Sequence, residues 1–275
     1  MRRTLLITGS SRGLGRALAA RALADGHQVV VTARAVEAVA DLVENYPDTA
    51  RAAALDVTDP DAARDAVQLA VREFGRLDVV INNAGYANIA SIEDTLLADF
   101  RAQLETNLWG AVNVTRAALP VLRAQRGGHI MQISSVSGRV APVAGLGPYV
   151  TAKFALEGFS EALALEVAPL GVKVTIVQAG TMATSLYSSM GASAPGADYA
   201  DALAPMLGLR GSSQAGEQGM PPDRAAEVLL GVLDLPEPPL WLALSGQAVD
   251  YIRPVEERRL AELQRWEKLS RSVDA

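Results

Sequence analysis

Short apolar runs alternate with stretches of helical period along most of this chain, and no other feature restricts its fold so severely. The runs are Leu5-Leu6-Ile7, Val29-Val30-Val31, Ala53-Ala54-Leu55, Val79-Val80-Ile81, Ile130-Met131-Gln132-Ile133 and Val174-Thr175-Ile176-Val177. Their apolar character is nearly continuous, the pattern of strands covered on both faces. Between them, residues 14–23, 62–72, 100–122 and 154–167 are rich in Ala, Leu, Arg and Glu at helical spacing. Strands and helices in alternation, joined by right-handed crossovers, predict a doubly wound parallel α/β sheet with ligands outside the carboxyl ends of its strands. Trp241-Leu242-Ala243-Leu244 predicts a last strand. At 275 residues and 49% hydrophobic content, a single domain over 1–275 is expected.

Composition narrows the function. A net charge of -6 provides no basic field for phosphate backbones, so nucleic acid is not an expected partner. With no cysteine there is no thiolate nucleophile and no disulfide framework, which fits a reducing compartment. His27 and His129 are the two histidines; neither has ligand spacing, so no metal is expected and both are read as structural. The first apolar run is too short for a signal-peptide core, and nothing later approaches a membrane span. A cytoplasmic location is the resulting expectation.

The first strand runs into Thr8-Gly9-Ser10-Ser11-Arg12-Gly13-Leu14-Gly15. Glycines at such a turn permit a tight bend and close approach of backbone to a pyrophosphate, whose charge the free N–H groups of the following helix attract. The alternative is a helix start that merely needs glycine. After the second strand the chain reads Val31-Thr32-Ala33-Arg34, without the carboxylate that would bond a ribose 2'-hydroxyl. Arg34, with Arg12 in the glycine turn, suits a 2'-phosphate instead, since each guanidinium presents a fork of donors. NADP(H) is therefore predicted over NAD(H), unless Arg34 is simply a solvated arginine.

Tyr149 and Lys153 stand four residues apart, so on a helix they project from one face. A fixed ammonium beside a phenol stabilises the phenolate, which makes a general acid/base of a group whose ordinary pKa is about 10. With six tyrosines and three lysines in the chain, this spacing arises by chance well under once. The competing reading is a surface tyrosine one turn before a solvated lysine.

Taken together, these residues resemble the short-chain dehydrogenase/reductase family in its compact single-domain, Rossmann-type branch. The resemblance covers Thr4 to about Thr184 and is looser beyond. Thr8-Gly9 to Gly15 is similar to the family's cofactor turn, including Ser11, Gly13 and Leu14. Leu55-Asp56-Val57 resembles the strand end that meets the adenine. Asn82-Asn83-Ala84-Gly85 resembles a stretch that steadies the sheet and lies along the cofactor. Asn107, Ser135, Tyr149 and Lys153 match the four catalytic positions. The resemblance implies that Tyr149 exchanges a proton with the substrate oxygen while hydride moves to or from the nicotinamide, and that Ser135 holds that oxygen. It implies that Lys153 bonds the nicotinamide ribose, and that Asn107 holds a water through a carbonyl in a distorted helix. Gly180, Met182 and Thr184 fall where the family contacts the nicotinamide. A homodimer or homotetramer is also implied. A non-catalytic NADP(H)-binding sensor on the same fold is the alternative function.

Two departures stand out. Gln178-Ala179-Gly180 replaces the family's usual Pro-Gly, which removes a φ constraint, and the stretch from Ser135 to Tyr149 is one residue longer than usual, to be absorbed around Gly145, Gly147 and Pro148. Residues 185–222, rich in Gly, Ala, Ser and Pro and carrying Leu186, Tyr187, Met190, Met206 and Met220, read as an irregular lid over a hydrophobic carbonyl or alcohol substrate, or as a surface loop. Arg210 is isolated, so no anionic group on the substrate is expected. A helical extension over 247–275 carries Leu260, Leu263, Trp266 and Leu269 at three-residue steps. Packing against its own domain is expected, with a subunit contact or a rim of the pocket as alternatives.

Overall fold

The computed structural model describes residues 1–183, 190–211 (side chains to 208) and 219–274. Seven parallel strands form one sheet in the order β3-β2-β1-β4-β6-β7-β9: β1 (Thr4–Ile7), β2 (Gln28–Ala33), β3 (Ala50–Ala54), β4 (Val79–Asn82), β6 (Gly128–Ile133), β7 (Val172–Ala179) and β9 (Trp241–Leu244). The fold is the doubly wound α/β sheet expected, and the third strand lies slightly earlier than its apolar run.

Period-two alternation within the strands divides the core in two. Leu5, Ile7, Val29, Val31, Val79 and Ile81 point to one layer, where α1 (Gly13–Ala24) and α8 (Pro222–Val232) cover them. Leu6, Val30, Val80 and Ile130 point to the other, under α3 (Pro60–Phe74), α5 (Gly110–Gln125) and α6 (Gly147–Val167). Leu5, Leu6, Ile7 and Ile81 are fully buried, each worth roughly 1.5–3 kcal/mol of transfer free energy. Local chemistry sets the helix ends: Asp59 caps α3 by accepting from the Asp61 and Ala62 N–H groups, Pro60 opens it, and Gly75 closes it in a left-handed conformation.

Strand order reverses at β1/β4, which opens a crevice at the carboxyl ends where the first βα turn, the β4 end and the β6 end meet. The predicted helix over 100–122 is a continuous run of α4 (Leu97–Leu104), a π-helical turn (Glu105–Trp109) and α5. Residues 185–222 are not irregular throughout: α7 (Ala200–Gly211) lies within them. The short strand β8 (Gly191–Ala192) also lies there and pairs with β5 (Asn88–Ile89), and Met220 bridges Met182. A short helix α2 (Ala40–Asn45) follows β2. The last helix, α9 (Gly246–Arg271), begins directly after β9.

Both histidines are structural in their contacts. His27 Nδ1 accepts from the Arg3 N–H at 3.1 Å, and His129 Nε2 lies 2.9 Å from Thr175 Oγ1. Burial pushes the His129 imidazole down to about 4, with Lys173 and Arg3 adding to the effect. Between about pH 6.5 and pH 4 the unfolded ring binds a proton that the folded ring does not, so its contribution is present above 6.5 and lost as pH falls. The loss is about 3 kcal/mol at its full extent. Urea denaturation across this interval should show wild-type stability falling more steeply than that of His129→Asn. Equal slopes would remove His129 as the cause.

Candidate active site

A cleft of about 880 Å³ opens at the carboxyl ends of the strands. The residues expected at a cofactor site converge on it from separate elements. Gly9, Ser11, Arg12, Gly13 and Leu14 come from the first turn, Arg34 from the end of β2, and Asp56 and Val57 from the segment after β3. Asn83, Ala84 and Gly85 follow β4, Ser135 follows β6, Tyr149 and Lys153 come from α6, and Gly180 and Met182 follow β7. Gly15 packs behind the turn, where a Cβ would stand 2.2 Å from the Gly9 carbonyl oxygen and 2.4 Å from Asn83 Nδ2. Thr184, Leu186 and Tyr187 lie outside the described residues, and the Arg210 side chain is likewise outside them.

The glycine turn has the form of an anion cradle. Gly9 and Gly13 have φ of +70° and +57°, values that side chains with a Cβ rarely adopt. The first turn of α1 has no side-chain cap and no acidic residue, so its N–H groups are open to an anionic ligand. Asn83 braces the turn by donating from Nδ2 to the Thr8 carbonyl at 2.9 Å, while Thr8 Oγ1 accepts from the Asn83 and Ala84 N–H groups at 2.9 and 3.0 Å. Asn82 holds the neighbouring helix by donating to Thr115 Oγ1 at 3.0 Å. Arg16 is paired with Asp41, whereas the exposed Arg12 and Arg34 guanidiniums carry no ion pair among the described residues. The Thr58 N–H and hydroxyl, at 2.9 and 2.7 Å from Oδ1, hold the Asp56 carboxyl below the usual range, and Arg34 adds to this. These features fit a dinucleotide cofactor.

On α6, Lys153 is buried rather than solvated, with Nζ donating to the Ile133 carbonyl at 2.7 Å. The ammonium lies 5.7 Å from the centroid of the Tyr149 ring. Burial lowers the Lys153 pKa to about 8, and Glu157 opposes the fall. Ser135 caps the short 3-10 turn Val136–Gly138 by accepting from the Ser137 N–H at 3.1 Å, an arrangement that leaves its hydroxyl proton available to a ligand.

Asn107 does not line the cleft. It sits below it in the π-helical turn, which Gly110 N–H closes onto the Glu105 carbonyl. Its side chain clasps the Tyr86 backbone: Oδ1 accepts from the Tyr86 N–H at 3.0 Å, and Nδ2 donates to the Tyr86 carbonyl at 2.7 Å. A Cβ on Gly85 would approach Asn107 Oδ1 to 3.1 Å and Lys153 Nζ to 3.9 Å, so the amide and the ammonium meet across one glycine.

Beyond Tyr149 the wall is apolar. Leu146, Met190 and Met206 are buried together, with Val143 and Tyr149 packed against them. Gln247 and Tyr251, from the first turns of α9, also line the cleft, and Gln247 Oε1 accepts from the Thr181 N–H at 2.8 Å. Sequence reasoning missed both, because no local pattern marks residues brought in from the far end of the chain. The amino-terminal part of α9 packs on the domain, through Ala248, Ile252 and Val255 against Val136 and Val140, with the Arg259 guanidinium over the Phe154 ring further along. Leu260, Leu263, Trp266 and Leu269 are 46–66% exposed, which corrects the expectation that their stripe packs against its own domain.

The family model for short chain dehydrogenases matches residues 3–194. This chain belongs to the short-chain dehydrogenase family. The enzyme is an oxidoreductase of that family and is 43% identical over 274 residues to an oxidoreductase, BOA17, of Botryotinia fuckeliana, with 98% of each chain covered. A short-chain dehydrogenase structure from Streptomyces avermitilis is 39% identical and superposes with a TM-score of 0.87, covering 98% of this chain and 97% of that one. A metagenomic short-chain oxidoreductase in complex with NADP is 31% identical with a TM-score of 0.61, over 65% of this chain and 82% of that one. Among the described residues, no helix is long and apolar enough to cross a membrane.

Proposed function

We propose that this oxidoreductase uses NADP(H) to interconvert a hydrophobic ketone and its secondary alcohol, with Tyr149 as general acid/base. The observation that carries the reading is the placement of Tyr149 over a buried, hydrogen-bonded Lys153 in the same cleft as Ser135, Arg12 and Arg34. Arg34 follows β2 and Ser135 follows β6, three strands away in the sheet, or roughly 14 Å at ordinary strand spacing. A dinucleotide can span that separation. The metagenomic relative's complex with NADP supports the same cofactor here.

In this reading the glycine turn from Gly9 to Gly15 receives the pyrophosphate, and Arg12 and Arg34 bond the 2'-phosphate. Asp56 and Val57 meet the adenine, Asn83 to Gly85 flank the cofactor, and Gly180, Met182 and Thr184 hold the nicotinamide end. The bound dihydronicotinamide supplies hydride chemistry. Ser135, its oxygen already accepting from Ser137 N–H, donates its hydroxyl proton in a hydrogen bond to the substrate oxygen. Tyr149 transfers its phenolic proton to that oxygen, and the Lys153 ammonium stabilises the phenolate that forms. In the oxidative direction Tyr149 takes the proton back. Asn107, whose side chain fixes Tyr86, shapes the path by which Lys153 exchanges protons with solvent.

The Leu146, Met190 and Met206 wall favours an apolar substrate, since methionine adapts to irregular shapes. A panel of aromatic ketones, ketosteroids and long-chain ketones, with retinals as aldehyde comparators, followed by loss of NADPH absorbance, tests the proposal. Turnover of at least one apolar carbonyl is expected. Silence across the panel with NADPH bound would overturn the catalytic reading and favour a cofactor sensor.

A further inference from the structure

Helix α6 presents a third ionisable residue in line with the first two. Tyr149, Lys153 and Glu157 occupy successive i, i+4 positions, and the lower two grip adjacent residues at the end of β6. Lys153 Nζ donates to the Ile133 carbonyl at 2.7 Å, and Ser134 Oγ donates to Glu157 Oε1 at 2.8 Å. The second carboxylate oxygen, Oε2, accepts from Gln178 Nε2 at 2.8 Å, which ties in the end of β7. All four of these side-chain carriers, Ser134, Lys153, Glu157 and Gln178, are buried. Gly138 closes the nest: a Cβ there would lie 2.3 Å from Ser134 Oγ and 2.5 Å from Glu157 Oε1.

A buried carboxyl group is costly unless its hydrogen bonds are satisfied. Here both oxygens accept from neutral donors, the pattern an ionised carboxylate requires. Burial raises the Glu157 pKa and Glu161 adds to that, while the Gln178 and Ser134 bonds and the charge of Arg139 oppose it. Arg139, Glu161 and Lys153 are the charged groups that act on it or on which it acts among the described residues. No atom of Glu157 lines the cleft, so direct chemistry on a substrate is not its role.

We propose that Glu157 is a positioning residue for this site. Its carboxylate fixes Ser134 and Gln178, and with them the strand ends that carry Ser135 and Ala179–Gly180, and its charge holds Lys153 in the ammonium form. The consequence for catalysis rests on the role proposed for Tyr149 and Lys153; the electrostatic coupling itself does not. Geometry makes the coupling specific, because the Ile133–Ser134 dipeptide joins the two groups through consecutive hydrogen bonds.

The chain has three lysines, Lys153, Lys173 and Lys268, so lysine ε-carbon and nitrogen resonances of isotopically labelled protein can be assigned with Lys173→Arg and Lys268→Arg. In the protein without substrate, Lys153 of Glu157→Gln should titrate about one pH unit lower than in the wild type, a tenfold loss in its ratio of charged to neutral form. In the wild type its resonance should carry a second inflection on the acid side, as Glu157 itself gains a proton. That inflection decides the matter if the variant fails to fold. With a substrate from the carbonyl panel, the alkaline limb of the kcat profile should move down by the same interval in Glu157→Gln. An unchanged Lys153 midpoint in a folded variant, or no acid-side inflection in the wild type, would overturn the proposal. Silence on every carbonyl would bear on the reaction alone and leave the titration readable.

Discussion

Tyr149→Phe should lower carbonyl reduction by about 10²–10⁴-fold, the usual weight of a positioned general acid, while leaving NADPH affinity within about a factor of two. The substitution removes one oxygen and retains the ring, which packs against the Leu146, Met190 and Met206 cluster. Folding should therefore be preserved, and a thermal melt will show it. The size of the effect follows from what remains: Ser135 can still bond the substrate oxygen, but no proton is delivered as its negative charge develops. Steady-state kinetics and NADPH fluorescence on the same preparation separate the two readouts. Wild-type turnover by the variant would remove Tyr149 from the acid/base role, whatever the fate of the cofactor assignment.

Arg34→Asp should reverse the cofactor preference, with the NADPH-to-NADH affinity ratio falling by about 100-fold. A hydrogen bond to a charged group contributes about 1.5–3 kcal/mol, and a carboxylate at the end of β2 both loses that and repels the 2'-phosphate. The same carboxylate can accept from a ribose 2'-hydroxyl, so NADH binding should hold or improve. Because Arg34 is exposed, solvent and salt will screen part of the effect, and the ratio should shrink as ionic strength rises. Fluorescence titrations with both cofactors measure it. A ratio equal to the wild type's would transfer phosphate recognition to Arg12 alone.

Some of this was legible because local chemistry dictates it. Continuous apolar runs such as Val79-Val80-Ile81 cannot sit on a half-exposed sheet, so a two-sided parallel sheet followed directly. Gly9 and Gly13 need their left-handed φ for reasons internal to one turn, and Tyr149 and Lys153 share a face by helix geometry alone. The π-helical turn at Glu105–Trp109 is different. Resemblance places Asn107 among the catalytic positions, yet nothing in Glu105-Thr106-Asn107-Leu108-Trp109 reveals its clasp on Tyr86, 21 residues earlier.

Residues 185–222 show the same limit. Their Gly and Pro content suggested irregular backbone, but α7 forms within them, and Met220 bridges Met182. The Ala, Leu and Met residues of α7 are good helix formers that the Gly and Pro content of the whole stretch masked, whereas no local signal marks the Met220–Met182 bridge. The apolar stripe of α9 failed in the opposite sense. Its spacing describes which residues share a surface, and spacing carries no information on whether anything covers it, so the exposure of Leu260 and Leu263 had to come from the packed fold.

The amino-acid sequence by itself determined the strand-helix alternation, the glycine turn, the arginines at the first two strand ends and the four-residue step between phenol and ammonium, because each depends on neighbours a few bonds or one helical turn away. Only the tertiary structure decided that Lys153 is buried on the Ile133 carbonyl, that Gln247 and Tyr251 complete the cleft, and that Ser134, Glu157 and Gln178 form one buried network. Those contacts join residues 20 or more positions apart, and the burial that gives them their electrostatic strength exists only once the sheet and its helices exclude water.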